Sequence, residues 1–298
     1  DDREGLLIQT RRLLADARSR SVATNFATQW LRIRDLGGLR PDTKIFAKFD
    51  RKLLESMRLE TVEFFDHILR QRLPINELIE ASYTFANQRL ALHYGLEPIV
   101  GQQMRLLEVE SPRGGLLSQG SILLATSTRQ RTSPVLRGKW LLEVLLDAAP
   151  PPPPPGAGTL PLPGEEGADL PLREQLRLHR NEPTCAICHR RMDALGFSLE
   201  RFDAIGRYRT GDIDDRGELP DGSVLEGIKD LKTNIHSSSG FQRSLARNLL
   251  TYALGRGLID EDAPAVARLL VRLKSDPTII ALIEEIVVLE AFRRRLIP

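Results

Sequence analysis

Six consecutive prolines, Pro150 to Pro155, followed by Gly156-Ala157-Gly158, restrict the fold more than any other stretch of this chain. Proline has a fixed φ and no backbone N–H, so the run fits inside neither a helix nor a sheet and reads as a stiff polyproline spacer. It divides the 298 residues into an N-terminal helical part over 1–149, a proline- and glycine-rich linker over 150–170, and a second part over 171–298. That length suits two modest domains, and the 41% hydrophobic share supports a buried core.

Apolar spacing on both sides of the run predicts a mainly α protein. Leu6, Leu7, Leu13, Leu14, then Val22, Phe26, Trp30 and Leu31 give two helices with a break near Ser19-Arg20-Ser21. A long amphipathic helix follows from Phe49 to Leu73, then a short one from Ile75 to Glu80, and another from Tyr83 to its stop at Gly95. Met104 to Val109 and Ser121 to Thr126 read as short β-like pieces, too few to build a sheet-based fold. Further helices are expected at Val135 to Asp147, Leu172 to Arg180, Phe241 to Leu254, Ala263 to Leu273 and Thr278 to Phe292.

The chemistry concentrates at Cys185-Ala186-Ile187-Cys188-His189, which holds the only two cysteines of the chain. This C-x-x-C-H spacing is that of c-type haem attachment. On one helical turn, residues three apart share a face, so both sulfurs reach the two vinyl edges of one porphyrin, and the next histidine turns its imidazole to the iron. A bare C-x-x-C also allows a redox or structural disulfide, half a zinc site, or two buried small side chains. Zinc would need two more good ligands, and the sequence has no second cysteine pair. Phe197 and Phe202, with Leu199, Ile205 and Tyr208, are candidates for an apolar haem pocket wall, and Arg190, Arg191, Arg207 and Arg209 are candidates for the propionates.

The sequence offers little for other classes. Lys and Arg number 42 against 40 Asp and Glu, so nothing suggests a nucleic-acid surface. No apolar run has the length of a membrane span, and no signal pattern opens the chain. Covalent haem c is assembled outside the cytoplasm, so a signal is expected further upstream, and the abrupt start on Asp1-Asp2-Arg3-Glu4 is read as one piece of a larger processed protein, periplasmic or secreted. Asp212 to Gly222 only loosely resembles a calcium loop and lacks the closing glutamate. No Ser/His/Asp order, H-E-x-x-H or phosphate loop points to another enzyme.

The residues also carry a family resemblance across nearly the whole chain. It lies in 21–36 with Phe26 and Trp30; in 83–95; in Arg113-Gly114-Gly115-Leu116-Leu117-Ser118-Gln119-Gly120; in Arg131-Thr132-Ser133-Pro134-Val135 and Arg137-Gly138-Lys139-Trp140; and in the proline run, His179-Arg180, 185–209 and 249–257. The chain resembles tandem domains of unknown function found in large secreted proteins of planctomycete-type bacteria, often beside a separate cytochrome-c-like domain. Two positions depart from the pattern: Ala194 stands where proline would follow aspartate, and Arg129-Gln130 replaces an Asn-Pro-like step. The resemblance implies export and a link to haem proteins, and a first domain that begins upstream of Asp1.

For a haem bound at His189, the sixth iron ligand is the open question. Met192 lies three residues on, on the same side of the ring, and is rejected. His179, ten residues before His189, is favoured, because the intervening chain is long enough to pass the ring edge. His236, His93, Met104, His67 and Met57 are the other candidates, with Met57 read first as core filler and His67 as a satisfied surface histidine. The resulting expectation is an exported, mainly α protein whose second, cytochrome-c-like part has irregular loops and bears one haem c. It would pass electrons to other haem-bearing subunits or domains, the upstream portion among them. A haem enzyme with an open iron site and a non-haem scaffold with a Cys185–Cys188 disulfide are the alternatives.

Overall fold

A computed structural model describes residues 2–110, 112–152, 170–179 and 183–294, with the side chains of 179, 183–185 and 187 outside the description. Most of the expected linker, 153–169, therefore lies outside the described residues. The fold is mainly helical. Fifteen α segments and two small two-stranded antiparallel sheets are present among the described residues.

The centre is α4 (Arg51–Arg70), opened by Asp50, whose carboxylate accepts from the Leu53 N–H at 2.8 Å. This satisfies one of the donors that every helix N-terminus leaves over. Around its buried Leu53, Met57, Phe64, Phe65 and Ile68 pack the neighbours. The run expected as the second helix is α2 (Arg20–Val22) and α3 (Thr28–Trp30), joined by a π turn at Ala23–Ala27. Its Phe26 stacks on Trp30 and meets Phe65 edge-on. Ahead of it, α1 (Arg3–Ala15) ends before the expected break.

The stretch 83–95 corrects the expected single helix. Tyr83–Ala86 is β1, and only Gln88–Tyr94 is helical (α6), after the short α5 (Glu77–Glu80). Strand β1 pairs with β2 (Arg105–Glu108) in the register Tyr83↔Glu108. Asn87 is the reason for the switch: its side chain accepts from the Leu90 N–H at 3.0 Å, capping a new helix where the pattern read through. The expected stop at Gly95 holds, in the left-handed region with φ 69°. Ser121 to Thr126 is likewise not β-like but lies largely within α7 (Gly120–Ala125), its short apolar run being a helix buried on α4. Short apolar runs do not separate strand from buried helix.

Beyond it, α8 (Pro134–Trp140) continues into a π turn at Leu141–Leu145. The two tryptophans of the chain lock this element to the N-terminal run reciprocally: Trp30 Nε1 donates to the Val144 carbonyl at 3.1 Å and Trp140 Nε1 to that of Leu31 at 3.0 Å. After α9 (Leu172–His179) and α10 (Pro183–Phe197) comes a hairpin of β3 (Arg216–Glu218) and β4 (Val224–Glu226). The remainder is α11 (Gly227–His236), α12 (Ser239–Leu254), α13 (Ala263–Ser275), α14 (Ile279–Val288) and α15 (Glu290–Arg293). One buried core links residues from both sides of the proline run.

Inside that core, Glu60 of α4 accepts from Thr84 Oγ1 and Tyr94 Oη, both at 2.6 Å, while the Arg113 guanidinium lies 3.6 Å from the centre of the Tyr94 ring. Burial pushes the Glu60 carboxyl up to about 7, against the hydrogen bonds and the Arg113 charge that pull it down. The folded chain then holds a proton that the unfolded chain has lost between about pH 4.5 and 7. Stability therefore falls as the pH rises through this window, by roughly 3 kcal/mol, and levels off above it. Urea unfolding at pH 5 and pH 8 is expected to show that loss in the wild type and not in Glu60→Gln; equal pH dependence of the two proteins would refute it.

Candidate functional site

The C-x-x-C-H motif lies in the first turns of α10, so the sequence and the fold agree that residues 185, 188 and 189 share a helix. Pro183 starts this helix rather than merely ending the one before it; a proline at the first helical position loses no hydrogen bond and has φ preset. Cys188 is a free, half-buried thiol. The side chain of Cys185 lies outside the described residues.

His189 is mostly buried, with 16% of its side chain exposed, and its Nδ1 lies 3.0 Å from Oδ1 of the fully buried Asp193. The i, i+4 spacing brings the two together on one helical face. With Asp193 accepting from the Nδ1–H, the ring orientation is fixed and Nε2 is the nitrogen a metal would take. The sequence reading did not single out Asp193, although H-x-x-x-D on a predicted helix is a readable signal.

What holds α10 in place is an antiparallel crossing with α8 at two glycines. A Cβ on Gly138 would stand 1.7 Å from the Met192 carbonyl oxygen, and one on Gly196 1.9 Å from that of Pro134. The backbones touch where no side chain fits. On a third side, Gly217 of β3 presses on the Ala194 carbonyl, where a Cβ would stand at 2.0 Å. Met192, rejected as an iron ligand, is buried in this crossing.

Arg137, fully buried on α8, clamps the chain as it leaves α10. Its Nη1 donates to the Leu199 carbonyl at 2.7 Å and to Glu200 Oε1 at 3.1 Å, and its Nη2 to the Asp203 carbonyl at 3.0 Å. Glu200 is shared: Thr132 Oγ1 donates to Oε2 at 2.7 Å and Arg209 Nη2 at 3.1 Å. Arg209 is thus committed to Glu200.

The other predicted residues are dispersed. Phe197 is buried under the Arg173 guanidinium, 4.0 Å from its ring centre, and lines a cavity of about 350 Å³ with Arg190, Ala194 and the hairpin residues Glu218 to Pro220. Phe202 is grouped with Tyr208 and Arg113 instead. Arg207 pairs with Asp203 at 2.8 Å. Of the candidate sixth ligands, His179 ends α9, which packs on α10; its side chain is outside the described residues. His236 Nδ1 lies 2.7 Å from Glu80, His93 Nε2 2.7 Å from the Ile205 carbonyl, and His67 is flanked by Tyr83 and Phe85. Met57 is buried beside Gly120, and Met104 packs at the core's edge.

The thiol of Cys188, the imidazole of His189 oriented through Nδ1, and the buried carboxylate behind it fit the donor chemistry of a covalently held haem c. No helix among the described residues is long and apolar enough to cross a membrane. Comparison with known proteins divides the chain into three segments. Residues 1–96 match a protein family of unknown function (DUF1592), residues 113–212 a second (DUF1588), and residues 221–292 a third (DUF1585). No curated protein and no solved structure matches the chain. The middle segment contains the proline run, the motif, Asp193 and the Arg137–Glu200 clamp. The chain therefore belongs to the planctomycete-type, cytochrome-c-associated tandem domains of unknown function, with the three following one another in the order DUF1592, DUF1588, DUF1585.

Proposed function

We propose that this chain carries one covalent haem c and passes electrons within an exported, periplasmic or secreted assembly containing further haem-bearing subunits or domains. The observation that supports the reading most is the His189–Asp193 contact inside a C-x-x-C-H turn. A structural disulfide has no use for a buried carboxylate behind the neighbouring imidazole. An iron ligand does, because the carboxylate fixes the tautomer and the ring orientation. The haem, when bound, supplies a one-electron Fe(III)/Fe(II) couple. Cys185 and Cys188 would each hold it by adding S–H across a vinyl group, and His189 Nε2 would be the proximal ligand. Arg190 and Arg191, exposed next to His189 and without an ion pair among the described residues, are better placed to receive propionates than Arg207 or Arg209, which already serve Asp203 and Glu200. His179 remains the favoured sixth ligand.

The test is a pyridine haemochrome spectrum with intact-mass analysis, on protein exported from a host that attaches haem c. The expected result is a c-type spectrum and a mass above that of the amino acids, both lost in the Cys185→Ala, Cys188→Ala double variant. A colourless wild type of unmodified mass would overturn the reading. Carbon monoxide binding to the reduced protein then separates an electron carrier with both axial positions filled, which binds it poorly, from a haem enzyme with an open position.

A further inference from the structure

Among the described residues, three other than glycine adopt positive φ: Arg32 at 57°, Arg72 at 55° and Asp147 at 46°. Each follows a helical stretch at the position where glycine is the usual choice, since a Cβ is disfavoured there. Two of the three make ion pairs. Arg32 pairs with Glu143, and Asp147 with Arg243 at 2.6 Å and Arg247 at 3.4 Å. Arg72, just past the end of α4, makes no side-chain hydrogen bond or ion pair among the described residues. It lines a cavity of about 350 Å³ between α1, the end of α4 and α14.

The cavity lies at the seam between the first and third matched segments, where the Ile75 N–H donates to the Pro277 carbonyl at 2.7 Å. Such seams are common places for small-molecule sites. Leu14, Leu69 and Ile280 give it aliphatic walls. Its two other arginines are already neutralised, Arg11 by Glu284 and Arg70 by Asp66, each at 2.7 Å. One uncompensated positive charge beside an aliphatic surface remains. We infer that this cavity binds a small alkyl carboxylate, its head on Arg72 and its chain against Leu14, Leu69 and Ile280. A guanidinium suits this head, offering two parallel N–H donors to one carboxylate. The volume sits at the small end of ligand pockets, which favours a short chain over a two-tailed lipid.

Sodium octanoate, octanol and inorganic phosphate are the probes, read by thermal unfolding and by isothermal titration on the full chain. Octanoate is expected to bind and raise the midpoint, with octanol weaker and phosphate inert. Arg72→Gly is the decisive variant: relief of the left-handed strain should raise its own midpoint by about 2 °C or more, while octanoate affinity falls at least about tenfold. A fold that is intact or stabilised but blind to octanoate supports the site. Absence of octanoate binding in the wild type, or equal binding in Arg72→Gly, overturns it. Pelleting with phosphatidylglycerol vesicles in place of octanoate binding would also overturn it, because the head group then belongs to a lipid surface.

Discussion

Gly196→Ala is expected to cost at least about 3 kcal/mol and lower the thermal midpoint by about 6–12 °C. A lone methyl in a helix usually helps, by up to about 1 kcal/mol, because alanine is the better helix former. Here the space decides. The added Cβ would meet the carbonyl oxygen, carbonyl carbon and Cα of Pro134 at 1.9, 2.5 and 2.7 Å, all of them backbone, so no flexible side chain can move aside. Close C···O contacts settle near 3.3–3.6 Å, which would require α8 and α10 to part by about 1.5 Å. Well-packed interiors do not absorb that without losing contacts along the whole crossing. Gly257→Ala is the control: nothing lies within 4 Å of its Cβ position, and the change should stay within about 0.5 kcal/mol. A Gly196→Ala protein melting with the wild type would mean that the two helices do not touch at their glycines.

That crossing also shows what the sequence made legible. The helical class followed from periodicity, because α4, α12 and α13 each bury a face that repeats at helical spacing. The stop at Gly95 followed from side-chain chemistry alone. The strand β1 did not, since the cap at Asn87 and the pairing with β2 decide it, and pairing partners some 20 residues away leave no periodic trace. At the site, the thiols and the histidine were readable as a motif. The roles of Gly138 and Gly196 were not legible, because each marks a backbone contact with the other helix. Nothing local in the -Arg-Gly-Lys-Trp- stretch marks Arg137 as buried, because its burial goes with a partner, Glu200, beyond the proline run. Residues that matter through distant contacts carry no local signature.

Arg137→Met is expected to destabilise by about 3–5 kcal/mol, and the source of that cost can be assigned. Glu200 is not left as an uncompensated buried charge, because Arg209 and Thr132 still donate to it. The heavier loss falls on the carbonyls of Leu199 and Asp203, which would face the thioether in place of two N–H donors at 2.7 and 3.0 Å. A buried carbonyl deprived of its partner costs about 1–3 kcal/mol, and loss of the charge-assisted bond to Glu200 adds to it. Arg137→Lys should recover only part of this, since an ammonium cannot span the carbonyls on both sides as the planar guanidinium does. Denaturant unfolding of the two variants measures both claims, and a loss under about 1 kcal/mol in Arg137→Met would remove Arg137 from the clamp. Because Arg137 and Gly196 secure the same helix, one at its exit and one at its crossing, the double variant should lose less than the two single losses combined. Strict additivity would show instead that the motif helix is held at two independent points.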